Sequence, residues 1–193
     1  MTRKHLLFSF AFLASGFMFA QKKDVAFTEG GIKSAVQKIQ NTVPLVVNHL
    51  QNVSKASSDP NILSGGKMLL KKEYDHVAKE FELFKGNMVT CISDNNSSKK
   101  MKKCMTYNSD YFRHTLINYD NYLKHVTKEN GFLNVGFSKE KDFNPAEIMA
   151  KVDQEFVATA NSIKKMKGDA KRNYIQDLSS GANSLQSFDQ LAQ

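Results

Sequence analysis

The residues best suited to metal chemistry are two pairs of potential ligand side chains on predicted helices. Glu73 and His76 lie three positions apart, and Asp110 and His114 lie four apart, so each pair would share one helix face. Di-metal helical bundles use the Glu-x-x-His pair twice, together with two further Glu. Because the second copy is missing here, these four residues form an incomplete metal site. We therefore expect no cofactor, and a metal- or haem-binding bundle is the alternative.

Common catalytic motifs are missing from the sequence. It contains no G-x-S-x-G, H-E-x-x-H, G-x-G-x-x-G or G-x-x-x-x-G-K-[ST]. A cysteine nucleophile would conflict with the pairing expected for the two cysteines. The sequence therefore gives little reason to propose an enzyme.

The two cysteines, Cys91 and Cys104, enclose a segment rich in turn-forming residues between 93 and 98. In an oxidising compartment an isolated pair of this kind favours a disulfide. The pair would join two helix ends across their loop. Its spacing does not resemble the C-x-x-C motif of redox proteins, so we predict a structural disulfide.

Basic side chains form two clusters, and the pI is about 9.4. This pattern favours contact with an anionic surface, and the alternative is a solvated, solubilising face. Expected export and the lack of a binding motif argue against nucleic acid. The clustered residues are Lys99, Lys100, Lys102, Lys103, Lys164, Lys165, Lys167, Lys171 and Arg172.

The segment from 130 to 143 is unusually apolar for a connection between helices. Phe132, Leu133, Val135 and Phe137 lie among its glycines. Loops normally hold fewer large apolar groups. We predict that these four residues bind a protein partner or an apolar ligand, and the alternative is that the segment packs over one end of the fold.

Apolar residues recur at spacings of three and four over long segments, which is the pattern of helices with one buried face. Short connections between such helices favour antiparallel neighbours. The predicted fold is all-α, an up-and-down bundle of four long helices, and Gly168 can split the last helix to give five. Two of the stripes are Ile32, Val36, Ile39, Val43, Val46, Leu50, Val53, and Leu70, Tyr74, Val77, Phe81, Phe84, Met88, Cys91.

Residues 1–20 have the features of a secretory signal peptide. Basic residues open the chain, an apolar run of about fifteen residues follows, and Ala20 supplies a small residue for cleavage. An uncleaved anchor is the alternative. Removal would leave residues 21–193 as one helical-bundle domain with a net charge of +6 and no transmembrane segment.

These observations favour a secreted or periplasmic binding protein without catalytic activity, which engages a protein partner or an apolar ligand. Two other functions stay open at this point. One is the metal- or haem-binding bundle, and the other is a basic, membrane-active secreted protein whose amphipathic helices act on anionic lipid.

Overall fold

The apolar stripes of the sequence become the buried faces of helices that pack side by side. The computed structural model describes residues 29–57, 59–126 and 145–193. The long helices are α1 (Glu29–Ala56), α2 (Asn61–Asp94), α3 (Ser98–Val126) and α4 (Pro145–Ile163). A shorter α5 (Asp169–Ser179), a 3-10 turn (Gly181–Asn183) and α6 (Phe188–Leu191) follow. No strand occurs in these described ranges, and the predicted all-α fold is confirmed.

Each long helix packs against the next, and α1 also contacts α4. The helix order around the bundle is therefore α1, α2, α3, α4, with α1 and α3 diagonally opposed. A buried hydrogen bond of 2.8 Å between the Tyr119 and Thr42 hydroxyls crosses the centre from α3 to α1. Because Thr42 donates its own hydrogen to the Ile39 carbonyl, Tyr119 is the donor in this pair.

Aromatic rings join three of the helices at the centre of the core. The Phe84 ring of α2 lies 5.0 Å from Phe112 of α3 and 5.4 Å from Phe156 of α4, measured between centroids. All seven predicted stripe positions of α2 are buried. In α1 the first six are buried, and the helix continues through Pro44, a residue that commonly kinks or breaks a helix.

The predicted split of the last long helix occurs at Gly168. Its φ of +55° lies in the left-handed region that favours glycine. The chain turns there, and α5 packs on α2. The bundle thus contains a fifth helix, as the sequence predicted.

The last residues of the chain form a C-terminal arm, residues 180–193, which lies along α2 and contacts α1. Phe188 anchors the arm and is buried beside the Tyr74 ring. Three lysines of α2 and one tyrosine bond to it in reverse sequence order. Lys85 Nζ donates to Ser184 Oγ (2.8 Å), Tyr74 to the Gln186 carbonyl (2.9 Å), Lys71 Nζ to Asp189 (3.3 Å) and Lys67 Nζ to the Ala192 carbonyl (3.3 Å).

The predicted disulfide is present. Cys91, near the end of α2, is bonded to Cys104, near the start of α3, with 5.6 Å between their Cα atoms. The bridge fixes the two helices to one another next to their short connection, residues 95–97. None of the described helices combines the length and apolar character needed to cross a bilayer.

Candidate functional site

The two basic clusters of the sequence meet at one end of the bundle. The start of α3 lies beside the end of α4, because Lys102 and Met105 line the same small cleft as Val157 and Ala160. Antiparallel packing therefore brings the first turns of α3 level with the chain segment that links α4 to α5. We call this region, residues 91–104 and 160–172, the basic end.

Most of the chain's excess positive charge is at the basic end. Within these two ranges the sequence has nine Lys and Arg residues and two carboxylates, Asp94 and Asp169, which gives +7 of the chain's net +8. If residues 1–20 are removed, the rest of the molecule carries a net charge of −1. The charge distribution is therefore strongly one-sided, and such a distribution steers anionic partners toward one end of a protein.

The cations of the basic end are open to solvent. All are exposed except Lys171, which is half-buried. Among the described residues, Arg172 is the only one of the nine with an ion pair, which it makes with Asp169. The lysines are therefore not used up in salt bridges within the fold and are available to a partner.

Four of these lysines are placed against the electrostatics of their own helix. Lys99 and Lys100 lie in the first turn of α3, with Lys102 and Lys103 just behind, and that turn contains no acidic residue. The amino end of a helix carries partial positive charge, so each nearby cation there costs about 0.3–1 kcal/mol. The disulfide at Cys104 helps to hold this helix end in place. Lysines at the amino end of a helix lower its stability, and residues that lower stability in this way are typical of a functional surface.

The small cleft at the basic end is too small for a ligand. Its volume is about 30 Å³, which is room for roughly one water molecule. Asp153 lies at its wall, with the Arg113 guanidinium 2.6 Å away. Burial raises the pKa of Asp153 more than Arg113 lowers it. The ion pair of Asp153 with Arg113 links α4 to α3. The groups of the basic end that can contact a partner are the lysines on its outer surface.

No family model matches the chain, and comparisons with curated proteins and with solved structures find no significant match.

The incomplete metal site is not assembled. In the α2–α3 register set by the disulfide, His76 is level with about residue 119 and His114 with about residue 81, so the two His are about 7 Å apart along the bundle axis. Both His are exposed, and Asp110 pairs with Arg113 at 3.4 Å. No group of three or more His, Cys, Asp or Glu side chains suited to a metal occurs in the described ranges.

Glu73, the remaining metal candidate, faces the tyrosines of α3. Burial, followed by the charge of Glu73, raises the pKa of Tyr122 to about 12. Burial is also the main cause of the raised pKa of Tyr119, to which Glu73 adds a minor part. These hydroxyls are therefore neutral in the folded protein. Tyr119 lies within the core, and Tyr122 packs against it.

The predicted partner-binding residues Phe132, Leu133, Val135 and Phe137 lie outside the described residues, so their role stays a prediction.

The sequence identified all nine cations of the basic end, but as two separate clusters. An antiparallel helix pair always places the start of one helix beside the end of the other. Applied to α3 and α4, this rule would have predicted that the two lysine clusters are adjacent.

Proposed function

We propose that the protein is a secreted or periplasmic binding protein, without catalytic activity, that attaches to an anionic partner through its basic end. The observation that supports this most directly is the meeting of two distant lysine clusters on one exposed surface. Export is inferred from residues 1–20, and the disulfide is consistent with an oxidising compartment.

The electrostatics favour binding over stability at this surface. Lysines in the first turn of α3 cost folding energy, and a gain on contact with negative charge would offset that cost. Each Lys near an anionic surface contributes about 1 kcal/mol to attachment. The four lysines of α3 alone would then strengthen binding by a factor of several hundred.

A pair of variants tests this proposal. In the basic-end variant, Lys99, Lys100, Lys102 and Lys103 are all changed to Gln. The control variant changes Lys33, Lys55, Lys72 and Lys79 to Gln; these exposed lysines lie elsewhere in α1 and α2. The two variants have the same net charge, so only the position of the lost charge differs.

Binding is measured against vesicles of phosphatidylserine and phosphatidylcholine, an acidic polysaccharide and polyglutamate over a range of salt concentrations. We expect the wild type to bind at least one of these in a salt-dependent way, the basic-end variant to lose about a hundredfold or more, and the control to lose far less. The basic-end variant should also melt slightly higher than the wild type, since Lys99 and Lys100 oppose the helix dipole. Equal losses in both variants, or no binding to any polyanion, would overturn the proposal.

A further inference from the structure

Two tyrosines of α3 stand out from the fold because most of their surface is exposed to solvent. Tyr107 is 71% exposed and Tyr111 is 58% exposed. Tyr119, on the same helix, is buried and bonded to Thr42. Packing explains Tyr119 but does not explain Tyr107 and Tyr111.

The exposed tyrosines continue the basic end along the outer face of α3. At 100° per residue, Lys100, Lys103, Tyr107 and Tyr111 fall within an arc of about 80°, on the side opposite the buried Met105. They span about 16 Å along the helix. We call this row of two lysines and two tyrosines the tyrosine ridge.

We propose that the tyrosine ridge rests on an anionic phospholipid bilayer, with the two rings among the lipid headgroups and the lysines of the basic end against the lipid charges. This inference rests on the proposed function and names its partner. Tyrosine suits the boundary between membrane and water, because its ring is apolar and its hydroxyl is polar.

The kind of cation at the basic end favours a diffuse lipid surface over a specific anion. Eight of the nine cations are Lys, and Arg172, the single Arg, is paired with Asp169. Arg is the side chain that recognises individual phosphates or carboxylates in a bidentate manner, whereas Lys acts as a mobile point charge. The cleft of about 30 Å³ also offers no enclosed subsite for a sugar unit or a peptide side chain.

The geometry predicts which face of the molecule lies on the membrane. The ridge is on α3, and α1 lies diagonally across the bundle. Leu45 of α1 is 41% exposed, so it provides a matched position on the far side. Attachment through the ridge keeps Leu45 in water.

The chain contains no Trp, so a single introduced Trp reports its own surroundings. We compare Tyr107→Trp, Tyr111→Trp and Leu45→Trp in the otherwise unchanged protein, with vesicles of equal parts phosphatidylserine and phosphatidylcholine. For the two ridge variants we expect emission to move to shorter wavelength on binding and brominated acyl chains to quench it. Emission from Leu45→Trp should not change.

A second measurement distinguishes the contribution of the tyrosine rings to vesicle binding from that of the lysine charges. The double variant Tyr107→Ser with Tyr111→Ser should bind these vesicles roughly twentyfold more weakly, about fivefold for each ring withdrawn from the interface, with unchanged helicity. If vesicle binding depends on the lysines but both ridge Trp residues stay unshifted and the Ser variant binds normally, the ridge proposal is overturned and the proposed function stands. Tyrosine-dependent binding to acidic polysaccharide without vesicle binding would overturn the lipid assignment. If the wild type binds none of the polyanions, both proposals are overturned.

Discussion

Two adjacent glycines of α2 give a matched test of how closely α1 packs against α2. A methyl group at Gly65 would meet no heavy atom within 4 Å. The same group at Gly66 would overlap Leu50 Cδ2 and come within 3.0 Å of Cδ1. Leu50 is fully buried, so its side chain has little freedom to move away. Gly65→Ala therefore measures helix propensity alone, and Gly66→Ala adds the collision.

The expected magnitudes follow from these two terms. Replacing a helical Gly by Ala stabilises a protein by about 1 kcal/mol. Inserting a methyl group into a filled core costs about 1–3 kcal/mol. We expect Gly65→Ala to raise the free energy of unfolding by about 1 kcal/mol and Gly66→Ala to lower it by up to about 2 kcal/mol. The difference between the two variants is then about 1–3 kcal/mol, or roughly 3–10 °C in Tm for a domain of this size.

Urea and thermal unfolding followed by circular dichroism measure both variants, each also combined with Leu50→Ala. In the Gly66→Ala background, Leu50→Ala should cost at least 1 kcal/mol less than in the wild type, because the new methyl group fills part of the space. In the Gly65→Ala background its cost should be unchanged. If Gly66→Ala proved as stabilising as Gly65→Ala, and additive with Leu50→Ala, the described contact between α1 and α2 would be wrong.

The disulfide and one buried carboxylate give two further predictions. Changing Cys91 and Cys104 together to Ser should lower the free energy of unfolding by about 3 kcal/mol while the helices persist, and unchanged urea midpoints after reduction of the wild type would contradict this. Because the pKa of Asp153 is raised above its ordinary 3.8 in the folded protein, the unfolded chain ionises first as pH rises, so this residue's contribution to stability falls between 3.8 and its folded pKa. Asp153→Asn should remove that decline, and an identical pH profile for the variant would refute the argument.

The helices could be predicted from the sequence because a buried helix face leaves a periodic trace in one dimension. The periodic pattern does not show which residues at the border of the buried face are covered. Spacing alone would put Tyr111 beside the core of α3, yet Tyr111 is 58% exposed, because spacing does not show how far a neighbouring helix extends. The C-terminal arm was missed for a related reason. By its spacing Phe188 fits a helical stripe, but its burial depends on α2, more than a hundred residues away in the chain.

Every cation of the basic end could be identified from the sequence, but the proximity of the two clusters in the fold could not be predicted. It depends on the antiparallel pairing of α3 with α4 and on the turn at Gly168, both of which are tertiary features. The same register separates His76 from His114, which the sequence had treated as possible partners. The ridge was missed because an exposed Tyr and a core-edging Tyr have the same spacing on a helix.

The C-terminal arm also bears on the order in which the molecule can fold. Its bonds join residues separated by up to 125 positions, such as Lys67 and Ala192. A nascent chain whose residues 180–193 have not yet emerged from the ribosome has α1 and α2 available but lacks the segment that covers them. The packing of the arm on α2 therefore waits until residues 180–193 have emerged. Until then, Tyr74 and the groove for Phe188 stay open, which leaves an interval in which a chaperone can still bind the chain.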